Sequence, residues 1–151
     1  MRLYHLSKDC NIRYFYPRIP ESRIQGENDF IPRICLTHSL GQCLRGWSSV
    51  FKNMPGGMIC ALYEFNIEED EKQHLKTTSE LEGLVPDAHF TREVWLTGGP
   101  IQAVTKYIIQ ITKAKNLFEG IPQIEYKILG SIFLNQPNSD FSEEVGVLLV
   151  D

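Results

Sequence analysis

Apolar residues fall mostly in short runs that alternate with polar ones and are separated by proline, glycine and charge, so strands are expected to outnumber helices. Residues 2–7, RLYHLS, predict a first strand, and residues 33–37, RICLT, a second. His38 and Ser39 then interrupt the run. Leu40, Cys43, Leu44 and Trp47 follow at helical spacing and predict a helix over 40–51, with Thr37 or Ser39 as its N-cap. Residues 58–67 open with a continuously apolar half, as a central strand does. Residues 90–97, FTREVWLT, predict another strand, with Thr91, Glu93, Trp95 and Thr97 on one face and Arg92, Val94 and Leu96 on the other. Ile101, Val104, Ile108 and Ile111, with Pro100 before them and Gly120 after, predict a second helix over 101–118. A strand over 124–134, bent at Gly130, a turn at 137–140 and a last strand over 144–150 complete the chain. The remainder is a long irregular stretch at 11–29, a turn at 53–57, a charged connection at 68–76 and a loop at 77–89. The sum is an α+β domain spanning 1–151, strand-rich, with two main helices.

Composition narrows the function. With 15 basic and 19 acidic residues the formal net charge is -4, which argues against general nucleic-acid binding but leaves room for one small phosphate ligand. No apolar run approaches the roughly 18 residues needed to span a bilayer, so no membrane association is expected. The four cysteines form no CxxC pair and two sit inside apolar patterns; reduced thiols in a cytoplasmic protein are the expectation. His5, Cys10, Cys35, His38 and Cys43 match no usual zinc spacing, so no metal site is expected.

Three places carry candidate chemistry. The turn at His38-Ser39 offers hydroxyls, an imidazole and helix-start amides, a set suited to an anion or a sugar, although most strand-turn-helix units only connect layers. The stretch 11–29 places Tyr14, Phe15 and Tyr16 among Arg13, Arg18 and Arg23; aromatics stack on bases while arginines grip phosphate. The alternative is that the aromatics anchor the loop and the arginines pair with Glu21 and Glu27. Glu93 beside Trp95 is a candidate partly buried acid, the alternative being an exposed edge-strand glutamate.

Three segments also resemble a known family. Leu3-Tyr4-His5-Leu6-Ser7 resembles the YHGT or YHGS strand that opens many ADP-ribosyltransferase-like folds. Arg33-Ile34-Cys35-Leu36-Thr37, followed by Ser39-Leu40 and a helix, resembles their second motif, a strand ending in Thr or Ser before a helix. Arg92-Glu93-Val94-Trp95-Leu96-Thr97 resembles the third, where a strand carries the catalytic Glu, and VWLT followed by Gly-Gly-Pro is similar to the tRNA 2′-phosphotransferase branch. Leu6 stands where the family has Gly, Cys35 near the place of its stacking tyrosine, and Thr91 where a Glu or Gln precedes the catalytic Glu.

The resemblance implies a split-sheet ADP-ribosyltransferase-like domain with NAD as substrate and ADP-ribose transferred to a macromolecular target. His5 would bind the nicotinamide-side ribose and take part in catalysis. Thr37 and Ser39 would lie near the nicotinamide pocket. Glu93 would hold the ribose 2′-hydroxyl and stabilise the positive charge that develops as nicotinamide leaves. His5, Thr37 and Glu93 are then expected to line one cleft, with Arg13, Arg18 or Arg23 reaching the phosphates. Small stand-alone members of phage and bacteria act in host conflict, which implies as the alternative a non-catalytic module that sequesters a nucleotide signal or blocks a protein partner.

Overall fold

The computed structural model describes residues 1–47, 50, 57–117, 121–134 and 144–149. In chain order its elements are β1 (Arg2–Ser7), β2 (Ile34–Leu36), α1 (Leu40–Gly46), β3 (Met58–Asn66), α2 (Glu69–Lys72), β4 (Leu75–Lys76), a 3-10 turn (Ser79–Leu81), α3 (Ala88–Thr91), β5 (Val94–Leu96), β6 (Thr105–Leu117), β7 (Ile121–Phe133) and β8 (Glu144–Leu149). They form a small α+β domain with an antiparallel five-stranded sheet, ordered β1-β3-β6-β7-β8, and an antiparallel three-stranded sheet, ordered β2-β5-β4. A backbone bridge between Tyr4 and Thr37 joins the two, with bonds of 2.8 and 2.9 Å.

Residue period fixes which side chains meet. On β1 and β3, Leu3, Ala61, Tyr63 and Phe65 turn toward Ile34, Leu36, Val94 and Leu96 of the small sheet, giving a core between the sheets. The alternate residues Leu6, Cys60 and Leu62 face the other way, joining Ile109, Ile111 and Ile124 under Cys43 and Leu44 of α1. On the small sheet the far face carries Trp95, which packs with Leu81, Val85 and Ala88.

The first strand, the two strands at 33–37 and 58–67, and the last strand lie where the sequence pattern puts them. Helix α1 starts as expected: Ser39 Oγ accepts from the Gln42 amide at 3.3 Å, and Gln42 Oε1 in return accepts from the His38 amide at 2.8 Å. Its expected continuation to Phe51, the turn at 53–57 and the turn at 137–140 fall largely outside the described residues.

The expected second helix over 101–118 is a strand, β6, so α1 is the only helix longer than four residues among the described ones. Ile101, Val104, Ile108 and Ile111 fit a helical stripe, but the segment fits period two as well. Thr105, Tyr107, Ile109 and Ile111 follow one face, Lys106, Ile108 and Gln110 the other. Its β-branched residues favour the pleated alternative, where they pack between β3 and β7. The bend expected at Gly130 is a register shift, between the pairs Ile108–Gly130 and Ile109–Ile128. The strand expected over 90–97 is confined to Val94–Leu96; Phe90 and Thr91 close the short α3, and Arg92 ends it in the left-handed region at φ 55°. The charged connection at 68–76 contains α2, capped reciprocally by Glu68 and Glu71, and β4. No helix among the described residues is long and apolar enough to cross a membrane.

Candidate functional site

His5 belongs to the core between the sheets. Its ring meets Phe15 edge-on at 5.3 Å, and Nδ1 donates to the Cys35 carbonyl at 2.8 Å. Burial lowers its pKa, and the Arg18 charge adds to that, while the bond to Cys35 opposes it. His5 is therefore a neutral imidazole with one nitrogen committed to backbone.

Thr37 is also turned inward. Its hydroxyl donates to the Ser39 carbonyl at 3.0 Å and lies 3.0 Å from Cys43 Sγ, beneath α1. Burial pushes the Cys43 thiol up to about 12. Ser39 is exposed and occupied with its cap.

Glu93 lies on the far face of the small sheet, the Trp95 side. Its Oε1 accepts from Trp95 Nε1 at 3.1 Å. Arg33, only 1% exposed, stacks its guanidinium 3.8 Å from the centre of the Trp95 ring, pairs with Glu27 and donates to the Ile31 carbonyl at 3.0 Å. Its Nε is buried without a partner among the described residues. Burial raises the Glu93 pKa to about 7; the indole bond and Arg33 lower it, and Glu27 and Asp87 raise it further. The cysteine at 35 is pushed to about 12 by burial and the same carboxylate.

The three residues expected in one cleft are thus in three surroundings. His5 lies between the sheets, Thr37 under α1, and Glu93 on the opposite side of the small sheet from His5. Arg33 was missed by sequence reasoning as a core residue, because an arginine in a strand is ordinarily read as solvated. The clue was Glu27, an opposite charge six residues before it across the Pro32 break.

The irregular stretch 11–29 is strapped to the body. Phe15 is buried against Tyr63 and Phe65, each at 4.9 Å, and its backbone pairs with Ile101. Arg18 pairs by backbone with Arg33, the Ile12 amide donates to Tyr63 Oη at 3.0 Å, and Lys106 Nζ donates to the Cys10 carbonyl at 2.8 Å. Arg13, Arg18 and Arg23 are exposed. Glu27–Arg33 and Glu69–Lys72 are the ion pairs among the described residues, so the three strap arginines do not pair with Glu21 or Glu27. Arg13 lies 5.8 Å from the Tyr14 ring centre, and Arg23 donates to the Pro20 carbonyl.

A different group of residues does share a cleft. Met1, His38, Leu75, Thr77, Thr78, Ser79, Arg92 and Val94 line a space of about 330 Å³ where the β2–α1, β4–β5 and α3–β5 connections meet. His38 brings an imidazole and Arg92 a guanidinium, both exposed. Thr78 Oγ1 donates to the Glu93 carbonyl at 2.9 Å, and Thr77 Oγ1 donates to Glu80 at 2.8 Å and lies 3.1 Å from Ser79 Oγ. Arg92 pays backbone strain to stand here, since a bulky residue at φ 55° occupies a region suited to glycine or asparagine. Arg92 and Glu93 diverge, one into this cleft and the other toward Trp95. Among the described residues no group of three or more His, Cys, Asp or Glu is placed to hold a metal ion. Compared with protein-family models, curated proteins and solved structures, the chain matches none.

Proposed function

We propose that the protein is a binding module for a nucleotide of the NAD or ADP-ribose class, held by phosphate and ribose in the His38–Arg92 cleft, and that it sequesters this ligand without transferring ADP-ribose. The observation that carries the reading is the lining of that cleft: a guanidinium, an imidazole and three hydroxyl side chains in a volume within the range of small-ligand pockets. An arginine fork and an imidazole suit phosphate oxygens, and hydroxyls suit the ribose edge. The turn after β2, which pattern alone marks for an anion or a sugar, supplies His38.

Transfer chemistry is disfavoured by the placement of Glu93. A carboxylate that stabilises an oxocarbenium-like sugar must be ionised and open to it. Burial disfavours the charged form of Glu93, its Oε1 is committed to the Trp95 indole, and it lies across the small sheet from His5.

The test is calorimetric titration with NAD, ADP-ribose, AMP and adenosine, together with an assay for free nicotinamide in the NAD sample. Binding of ADP-ribose and AMP, absence of binding by adenosine, and no nicotinamide release are expected. Nicotinamide release that disappears in Glu93→Gln would replace sequestration with ADP-ribosyl transfer. Absence of binding by all four would remove the nucleotide reading.

A further inference from the structure

The strap offers a second surface, independent of the cleft. Residues 14–18 run extended, with Phe15 turned into the core at 6% exposure. Its neighbours Tyr14 and Tyr16 point outward, at 47% and 61% exposure, and Arg18 follows Tyr16 at the same parity. In an extended chain residues two apart stand about 7 Å from each other on one side, so Tyr14, Tyr16 and Arg18 form a row. Arg13 and Arg23 are exposed on the same strap.

These side chains are presented on a rigid support. Phe15 is gripped by Tyr63, Phe65 and His5, and backbone pairs at Phe15 and Arg18 fix the segment on either side of Tyr16. Exposed tyrosine and arginine on a pre-ordered backbone are what interface anchors consist of, because they add contact area at little ordering cost. None of the three strap arginines is ion-paired among the described residues, although the chain carries 19 acidic side chains. Arg13 lies by the Tyr14 ring and Arg23 donates to the Pro20 carbonyl, so their positive charge is met by neutral groups and by no carboxylate among the described residues.

We infer that Arg13, Tyr14, Tyr16 and Arg18 form a docking surface for an extended acidic segment of a protein partner, its carboxylates meeting the arginines and its apolar side chains lying on the tyrosine rings. A nucleic acid fits less well. Nucleic-acid affinity rests on neutralising many phosphates, which the net charge of -4 opposes, whereas a peptide with one or two carboxylates needs only the strap arginines.

The experiment is a selection of displayed random peptides, about ten residues long as extended recognition segments are, against the full chain. A Tyr16→Ser/Arg18→Ser variant is measured in parallel, and its melting temperature confirms the fold. Enriched peptides should be acidic, carry apolar or aromatic residues, and lose at least about tenfold in affinity on the variant. Their binding should be unchanged by saturating ADP-ribose, which separates this surface from the cleft. Enrichment of neutral or basic peptides, equal binding to the variant, or no enrichment would overturn the inference. Saturable oligo(dT) binding lost in the same variant would also overturn it and assign the surface to single-stranded nucleic acid.

Discussion

Glu93 accepts a hydrogen bond from the indole of Trp95, two residues along the same strand face, at 3.1 Å. Trp95 in turn carries the buried Arg33 on its ring, and Arg33 holds Glu27. One strand pair thus links the acid before β5, the aromatic within it and the buried end of the strap.

This arrangement predicts a pH-dependent fold. The Glu93 pKa is raised from 4.5 to about 7, so between those values the folded state binds more protons than the unfolded one. Its contribution is fully present below 4.5 and is lost as pH rises through about 7. Melting temperature should fall between pH 5 and pH 8, and Glu93→Gln, which keeps an acceptor for Trp95, should remove that fall. An unchanged slope in Glu93→Gln would place the titrating group elsewhere.

His5 acts in the opposite direction. Its folded pKa is lowered from 6.5, chiefly by burial, so its contribution is present above 6.5 and is lost as pH falls through the lower folded value. In a Glu93→Gln background the remaining loss of stability on the acid side should shrink when His5→Asn is added, because asparagine retains a donor for the Cys35 carbonyl without charging. Thermal melts of the two variants across pH 4 to 7 measure this.

Arg33 should be among the most sensitive positions. Arg33→Ala leaves Glu27 a partly buried charge without its partner and should cost about 3–5 kcal/mol in urea unfolding. Adding Glu27→Gln to that variant should recover part of the loss, since the uncompensated charge goes with it.

The strap predicts an asymmetry between neighbours. Phe15→Ala should cost about 3–5 kcal/mol, since it empties a site lined by Tyr63 and Phe65. Tyr14→Ala and Tyr16→Ala should each change stability by no more than about 0.5 kcal/mol, as exposed side chains do.

The first strand, the strands at 33–37 and 58–67, and the start of α1 were legible from local residues, while the order of strands in the sheets was not. RLYHLS is too short for a helix with its own apolar face and carries an aromatic among its apolar residues, and Ser39 before Leu40 carries the cap hydroxyl in the sequence. Residues 101–118 satisfied two periods at once, and only pairing with β3 and β7 decides between them. The binding cleft was half legible. His38 stood out as a polar break after a strand, but Arg92 and Thr77 to Ser79 are brought to it by chain reversals at α3 and the 3-10 turn, which no local pattern encodes. Glu93 was recognisable as a partly buried acid, yet its face depends on how the small sheet stacks on the large one, a relation set by residues far apart in sequence.

The most direct test of the cleft compares ADP-ribose affinity in the wild type and in Arg92→Gly. Glycine relieves the left-handed backbone at residue 92, so the variant should be as stable as the wild type or more stable by up to about 1 kcal/mol. It removes a charge-assisted contact to phosphate, so binding should weaken at least about tenfold. A more stable protein that binds less well is the predicted result; undiminished binding by a stable Arg92→Gly variant would contradict the cleft as the nucleotide site.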